Sequence, residues 1–146
     1  MIAKPPVYVA AALVAMAAAH ACMPIDQIFL FPWNLVGIVP LLLGAGLILH
    51  AFLLFIRNGT TSNPDGVPAA LVTSGPFRVT RNPMYLGILL MFSGIACLFG
   101  TVGPWLAVPA LGVVFDVVFI RREEKRMETI FDDAYRRYKA KVRRWI

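Results

Sequence analysis

The sequence predicts an all-α fold: a polytopic membrane protein of about four transmembrane helices plus a C-terminal amphipathic cytoplasmic helix. Three observations carry this reading. Hydrophobic residues fill 59% of the 146 positions and charged residues only 15%, against about 45–50% and about 25% in soluble domains, and so short a soluble chain has too little interior to hide the excess. Four apolar segments approach or reach the roughly 17–25 residues that cross a bilayer. Every Lys and Arg falls in the N-terminal tip, the second connection or the tail.

The spans are taken in order. The first, Pro5–Met23, is rich in alanine. Lys4, the apolar run and Ala19-His20-Ala21 resemble the three regions of a cleavable signal, but we read the segment as a true span. The second, Trp33–Ile56, carries Gly37, Gly44, Ala45 and Gly46, small residues that let helix backbones approach in lipid. The third, Met84–Gly100, is short and has Gly87 and Gly94 two turns apart on one face. The fourth is Pro104–Ile120. Pro40 and Pro109 are expected to kink the second and fourth helices. No internal repeat divides the chain, so residues 1–146 form one domain.

Charge orients the bundle. Lys4, the 57–83 connection with Arg57, Arg78 and Arg81, and the tail from Arg121 hold all the basic residues; the other two connections, near Pro24–Pro32 and Gly100–Pro104, hold none. The positive-inside rule places both termini and the 57–83 loop in the cytoplasm. A glycosylation acceptor at Asn58-Gly59-Thr60 is idle on that side. The net charge of +6 comes mostly from the tail, where a polybasic segment beside a span fits anionic lipid head groups better than nucleic acid. Cys22 and Cys97 are too few for a zinc site. A disulfide between them is geometrically conceivable, but buried thiols acting as small apolar groups are the simpler reading.

The 57–83 connection is long for a helix–helix loop, and such loops tend to be functional or disordered. Its first part, "NGTTSNPDGVP", is turn chemistry; its second, "ALVTSGPFRVTRNP", is apolar and basic and should lie on the membrane or fold back onto the helices. In the tail, at 100° per residue from Glu124, the residues Met127, Phe131, Tyr135, Tyr138, Val142 and Trp145 fall within about 60° of it, and Glu123 lies well off that stripe. An interfacial amphipathic helix explains the aromatic face and the basic flanks. It does not explain a carboxylate on that face. Asp116, inside the fourth apolar run, is expensive there and should pair with Arg121 or with a loop arginine. His20 and His50 are lone intramembrane histidines, suited to hydrogen bonds between helices. No metal constellation, phosphate loop or serine triad is present.

"LVTSGPFRVTRNPMYLG", two spans, and then "EEKRMETIFDDAYRRYKAKVRRWI" resemble the isoprenylcysteine carboxyl methyltransferase family, together with its bacterial and phospholipid-methylating relatives. The resemblance covers roughly residues 59–146, and "GTTSNP" resembles an upstream element of the bacterial members. It departs from the eukaryotic pattern at Asn82, where histidine is usual, and at Asp132, where a glycine usually follows the phenylalanine. "RNPMYLG" is the bacterial variant, which implies a bacterial inner membrane.

The resemblance implies an integral-membrane methyltransferase that uses S-adenosylmethionine, yields S-adenosylhomocysteine, and binds it between the Gly75–Gly87 segment and the Glu124–Tyr138 helix. In that arrangement Glu124, with Glu123 beside it, would accept hydrogen bonds from the α-ammonium. Arg81 or Arg78 would pair with the carboxylate. Asn82 suits an adenine edge or the ribose, and Phe77, Tyr85 and Tyr135 would enclose the purine. Pro76 and Pro83 would stiffen the backbone between Gly75 and Gly87, so that little ordering remains on binding. Arg81 and Glu124 are the candidate catalytic residues, with a loop arginine holding an anionic acceptor in line for transfer. The acceptor is expected to be amphiphilic, an isoprenylcysteine-like carboxylate or a lipid head group entering from the bilayer. Two rivals are a small non-enzymatic membrane scaffold or lipid-binding subunit, and a membrane reductase with a nicotinamide cofactor.

Overall fold

A computed structural model of the chain describes residues 4–22, 26–61 and 66–146. Met23 and Pro24, and Ser62, Asn63, Pro64 and Asp65 of the turn-rich loop, lie outside the described residues. Among the described residues five α-helices run in chain order: α1 Pro5–Cys22, α2 Ile38–Arg57, α3 Pro83–Phe99, α4 Ala107–Val114 and α5 Arg121–Lys141. Among the same residues three continuous helical runs are long and apolar enough to cross a membrane, Pro5–Cys22, Trp33–Arg57 and Gly103–Lys141, while α3 is a shorter apolar helix. The fold is all-α and polytopic.

The glycines set the closest approach in the bundle. A methyl group on Gly37 would run into the Gly94 carbonyl, and one on Gly44 into the Gly87 carbonyl. These two contacts run in opposite directions along α2 and α3, so the helices are antiparallel with their backbones almost touching. On the other flank Ala19 of α1 packs against Gly103 and Tyr8 lies edge-on to Phe119, with ring centroids 5.3 Å apart. α1 and the fourth span are therefore antiparallel too. Met16, Phe92, Ala96, Leu111 and Phe115 fill the interior between them. Leu42, Leu43, Leu49 and Val113 point outward and are exposed, as side chains facing hydrocarbon should be.

Several features differ from the sequence reading. Pro40 and Pro109 do not kink the middle of long helices. Each falls in the first turn of an α-helix, behind the 3₁₀ stretches Trp33–Gly37 and Gly103–Leu106, where a missing N–H leaves no carbonyl unpaired. The fourth span changes type again: residues Phe115–Ile120 are π-helix, leading without a break into α5. α5 is not one regular helix, because Asp132 has φ 39° and ψ −117° and kinks it. Val142 is extended, so Val142 and Trp145 lie beyond the helix, and Trp145 packs instead on the interhelical core. The aromatic face of α5 is covered by protein: Tyr135 and Tyr138 are buried with Ala51, Val72 and Phe77.

The end of the bundle away from this face is tied by short polar contacts. Gly100, at φ 74°, ends α3, and its carbonyl accepts from the Ile28 and Phe29 amides at 2.7 and 3.1 Å. His20 Nδ1 is 3.0 Å from Thr101 Oγ1, so it bonds to a connection and not to a helix. His50 is exposed beside Gly75. Cys97 is buried and Cys22 exposed, and both are free thiols.

Candidate active site

A cavity of about 440 Å³ opens at the end of the bundle that holds the 57–83 loop, within the size range of small-molecule sites. Its walls come from five parts of the chain, with Phe55 contributed by α2. Phe77, Arg81 and Asn82 come from the loop, Pro83, Met84 and Tyr85 from the start of α3, and Glu123, Glu124, Met127, Tyr135 and Tyr138 from α5. Pro5 and Pro6 close it from α1.

Local sequence explains the placement. Gly75-Pro76-Phe77-Arg78 makes one 3₁₀ turn with proline at its start, which drives the Phe77 ring into the interior against Phe55, with centroids 5.3 Å apart. Asn82 precedes a proline and has φ −129° and ψ 56°, outside the helical region as a residue before proline should be. Pro83 then starts α3, where its fixed φ suits the first turn. Tyr138 fastens the other wall by donating its hydroxyl to the Phe77 carbonyl at 2.7 Å.

The charged groups form a chain. Glu124 is buried, and Arg144 grips both of its oxygens, Nε to Oε1 at 3.1 Å and Nη2 to Oε2 at 2.7 Å. Arg81 Nη2 lies 3.0 Å from the same Oε1. The third donor group of Arg144, Nη1, reaches Asp116 Oδ1 at 3.0 Å, and Asp116 also meets Arg121 at 3.2 Å. These bonds hold the Arg144 guanidinium charged, with its pKa above the usual arginine value. Removing one partner of a buried pair such as Arg81–Glu124 costs about 3–5 kcal/mol.

Two groups in the wall have capacity left over. The Arg81 side chain is 8% exposed, and among the described residues its Nε and Nη1 have no hydrogen-bond partner, with the Tyr135 hydroxyl close to the guanidinium. Buried unsatisfied donors of a cation are costly, and an anionic ligand group would relieve them. Glu123 accepts the Tyr85 hydroxyl at 2.6 Å on Oε1. Burial raises its carboxyl pKa above the ordinary range, although the Tyr85 bond and Arg126 pull it back in part. Burial, with Glu124 nearby, pushes the Tyr135 phenol up to about 12, Arg81 opposing. Tyr135 stays neutral at physiological pH and offers an aromatic wall. The cavity thus pairs a cation with unused donors, a carboxylate with acceptor capacity and a set of aromatic and methionine faces.

Of the candidate residues from sequence, Phe77, Arg81, Asn82, Pro83, Tyr85, Glu123, Glu124 and Tyr135 line the cavity. Four do not. Gly75, at φ 57°, turns the chain against Leu54 and His50, and Pro76 caps the 3₁₀ turn, its carbonyl taking the Val79 and Thr80 amides. Arg78 is exposed. Gly87 faces Gly44 and Ile48 of α2, where it serves helix packing. Two chemical assignments also change. Glu124 takes three donors from two arginines, whereas Glu123 takes the Tyr85 hydroxyl and has more room for a cation. The Asn82 amide group donates to the Arg144 carbonyl at 3.0 Å, which leaves its oxygen alone for a ligand. Sequence reasoning passed over Arg144, since nothing marks where the chain leaves the helix. Met127 and Tyr138 were on the aromatic stripe but were not read as cavity walls.

The sequence pattern of the phospholipid methyltransferase family matches residues 33–134, well over half of the chain, from the 3₁₀ turn before α2 to just past the kink in α5. The chain belongs to that family. Phospholipid methyltransferases fall within the isoprenylcysteine carboxyl methyltransferase-like group, in line with the resemblance of the two motifs. Membership, together with the apolar helices, points to an integral-membrane methyltransferase. A protein of Haemophilus influenzae described as uncharacterized is 43% identical over 63 residues, which is 43% of this chain and the whole of that protein. No solved structure matches. The phospholipid methyltransferase match ends before Tyr135, Tyr138 and Arg144, so those three enter the site on geometry.

Proposed function

We propose that the chain transfers a methyl group from S-adenosylmethionine to a lipophilic acceptor at the cytoplasmic face of the membrane. The observation that carries this is Arg81, a buried cation in the cavity wall with two donor nitrogens that have no partner among the described residues. Its surroundings fit the rest of that cofactor. Arg81 would hold the α-carboxylate by a charge-assisted hydrogen bond from Nε or Nη1, Glu123 would take the α-ammonium, and Tyr85, Tyr135 and Met127 would cover the flat adenine. S-adenosylmethionine, when bound, supplies a methyl group activated by a sulfonium, whose departure needs no proton.

The chain's own contribution is alignment and exclusion of water. Phe55 of α2 and Ile88 of α3 line the same cavity, so a hydrocarbon chain arriving between the helices can share it with a nucleotide. The acceptor is an isoprenylcysteine-like carboxylate or a lipid head group. Confinement of Lys and Arg to Lys4, the 57–83 loop and the tail supports the cytoplasmic side.

Calorimetric titration of the detergent-purified chain with S-adenosylhomocysteine tests the reading. Binding that Arg81→Ala abolishes is the expected result. No binding by the unsubstituted chain would favour a scaffold role.

A further inference from the structure

Arg144 does not line the cavity, yet it is bonded to groups that do. Its three donor groups are all spent, two on Glu124 and one on Asp116. Its carbonyl accepts from the Thr80 hydroxyl at 3.0 Å and from the Asn82 amide at 3.0 Å, and the preceding Arg143 carbonyl accepts the Arg81 amide at 3.0 Å. One short strap beyond α5 thus holds the Arg81 backbone, the side chains on both sides of it and the carboxylate that Arg81 touches.

The consequence lies in what Glu124 would do without it. A buried carboxylate has about four lone-pair sites. With Arg144 absent, it would keep only the Arg81 Nη2 contact and would rotate to take a second Arg81 nitrogen, Nε or Nη1, in the fork geometry that Arg and carboxylate prefer. The anion site would close on itself. We infer that Arg144 is a positioning residue that holds both oxygens of Glu124 and so keeps the Arg81 guanidinium available to the carboxylate of an amino-acid-bearing nucleotide. The assignment rests on the methyl-donor reading above and adds to it the residue that tunes the anion site.

The experiment compares two ligands on the full chain in detergent: S-adenosylhomocysteine, and 5′-methylthioadenosine, which has the nucleoside and thioether but no amino-acid end. Arg144→Ala is expected to weaken S-adenosylhomocysteine about ten- to a hundredfold, the worth of a charge-assisted hydrogen bond, and to leave methylthioadenosine nearly unchanged. Arg144→Lys, which keeps the charge but cannot fork across both oxygens, should fall between and guards against misfolding of the alanine variant. Adding Glu124→Gln to Arg144→Ala should recover most of the lost affinity. Equal weakening of both ligands, or unchanged S-adenosylhomocysteine affinity in both single variants, overturns the inference alone. Failure of the unsubstituted chain to bind either ligand removes the functional reading and this inference together.

Discussion

Replacing Asp132 by glycine should stabilise the protein. Asp132 has φ 39° and ψ −117°, a region open to glycine but sterically closed to residues with a Cβ. Such a conformation costs on the order of 1–3 kcal/mol. Glycine relieves it but loses more chain entropy on folding, about 0.5–1 kcal/mol. The Asp132 carboxylate pairs with Arg136 at 3.0 Å, but both side chains are more than half exposed, so the pair contributes little, and Arg136 retains Asp133 at 3.4 Å. The net gain is about 0.5–2 kcal/mol, or roughly 2–6 °C in apparent Tm for a chain of this size. Thermal unfolding in detergent measures it, with Asp132→Ala as the control that keeps the Cβ. A Tm that falls for the glycine variant, or rises as much for alanine, would refute the strain argument.

Arg78→Ala should leave S-adenosylhomocysteine affinity within about twofold, because Arg78 is exposed and outside the cavity, a surface change of the neutral kind; a tenfold loss by calorimetry would restore it to the site. Burial raises the Glu123 pKa, and a ligand ammonium favours the ionised carboxylate, so affinity should climb as pH rises through that raised pKa and fall below it. Glu123→Gln should flatten the profile, and Tyr85→Phe, which deletes a bond that lowers the Glu123 pKa, should move it to higher pH; titrations across pH 5–8 check both. Gly44→Ala would press a methyl group on the Gly87 carbonyl and on Met91, whereas Gly46 faces open space. The first substitution should cost about 1–3 kcal/mol and the second nothing or less, read as opposite or unequal Tm shifts.

The apolar segments were legible because a bilayer imposes a minimum length on any crossing helix. α3 begins at Pro83 and ends at Phe99, within a residue of the segment read from hydropathy. The loop wall of the cavity was legible for a different reason: proline in the turn and before α3, with arginine and asparagine between them, specifies backbone and polar groups together. The stripe through Glu124, Met127, Phe131 and Tyr135 held because it lies mostly ahead of the kink. What escaped needed information that periodicity does not contain. Constant 100° steps cannot register a π segment or a kink, so Val142 and Trp145 were assigned to a helix they do not join. The bond between Arg144 and Glu124 joins two parts of the tail that only the kink and the extended Val142 bring together. Arg78 and Arg81 are three residues apart on a tight turn, and nothing in composition tells which of the two faces inward.

The π segment at Phe115–Ile120 works as an index mark on a shaft. A π turn holds about one residue more than an α turn, and each residue added to or taken from a helix rotates everything after it by about 100°. Deleting one residue there would turn the π turn into an α turn and leave both glutamates facing the cavity, whereas the same deletion in regular helix on either side would swing them away by about 100°. Chains that share this architecture should therefore tolerate the loss of a residue in that stretch far better than elsewhere in the helix.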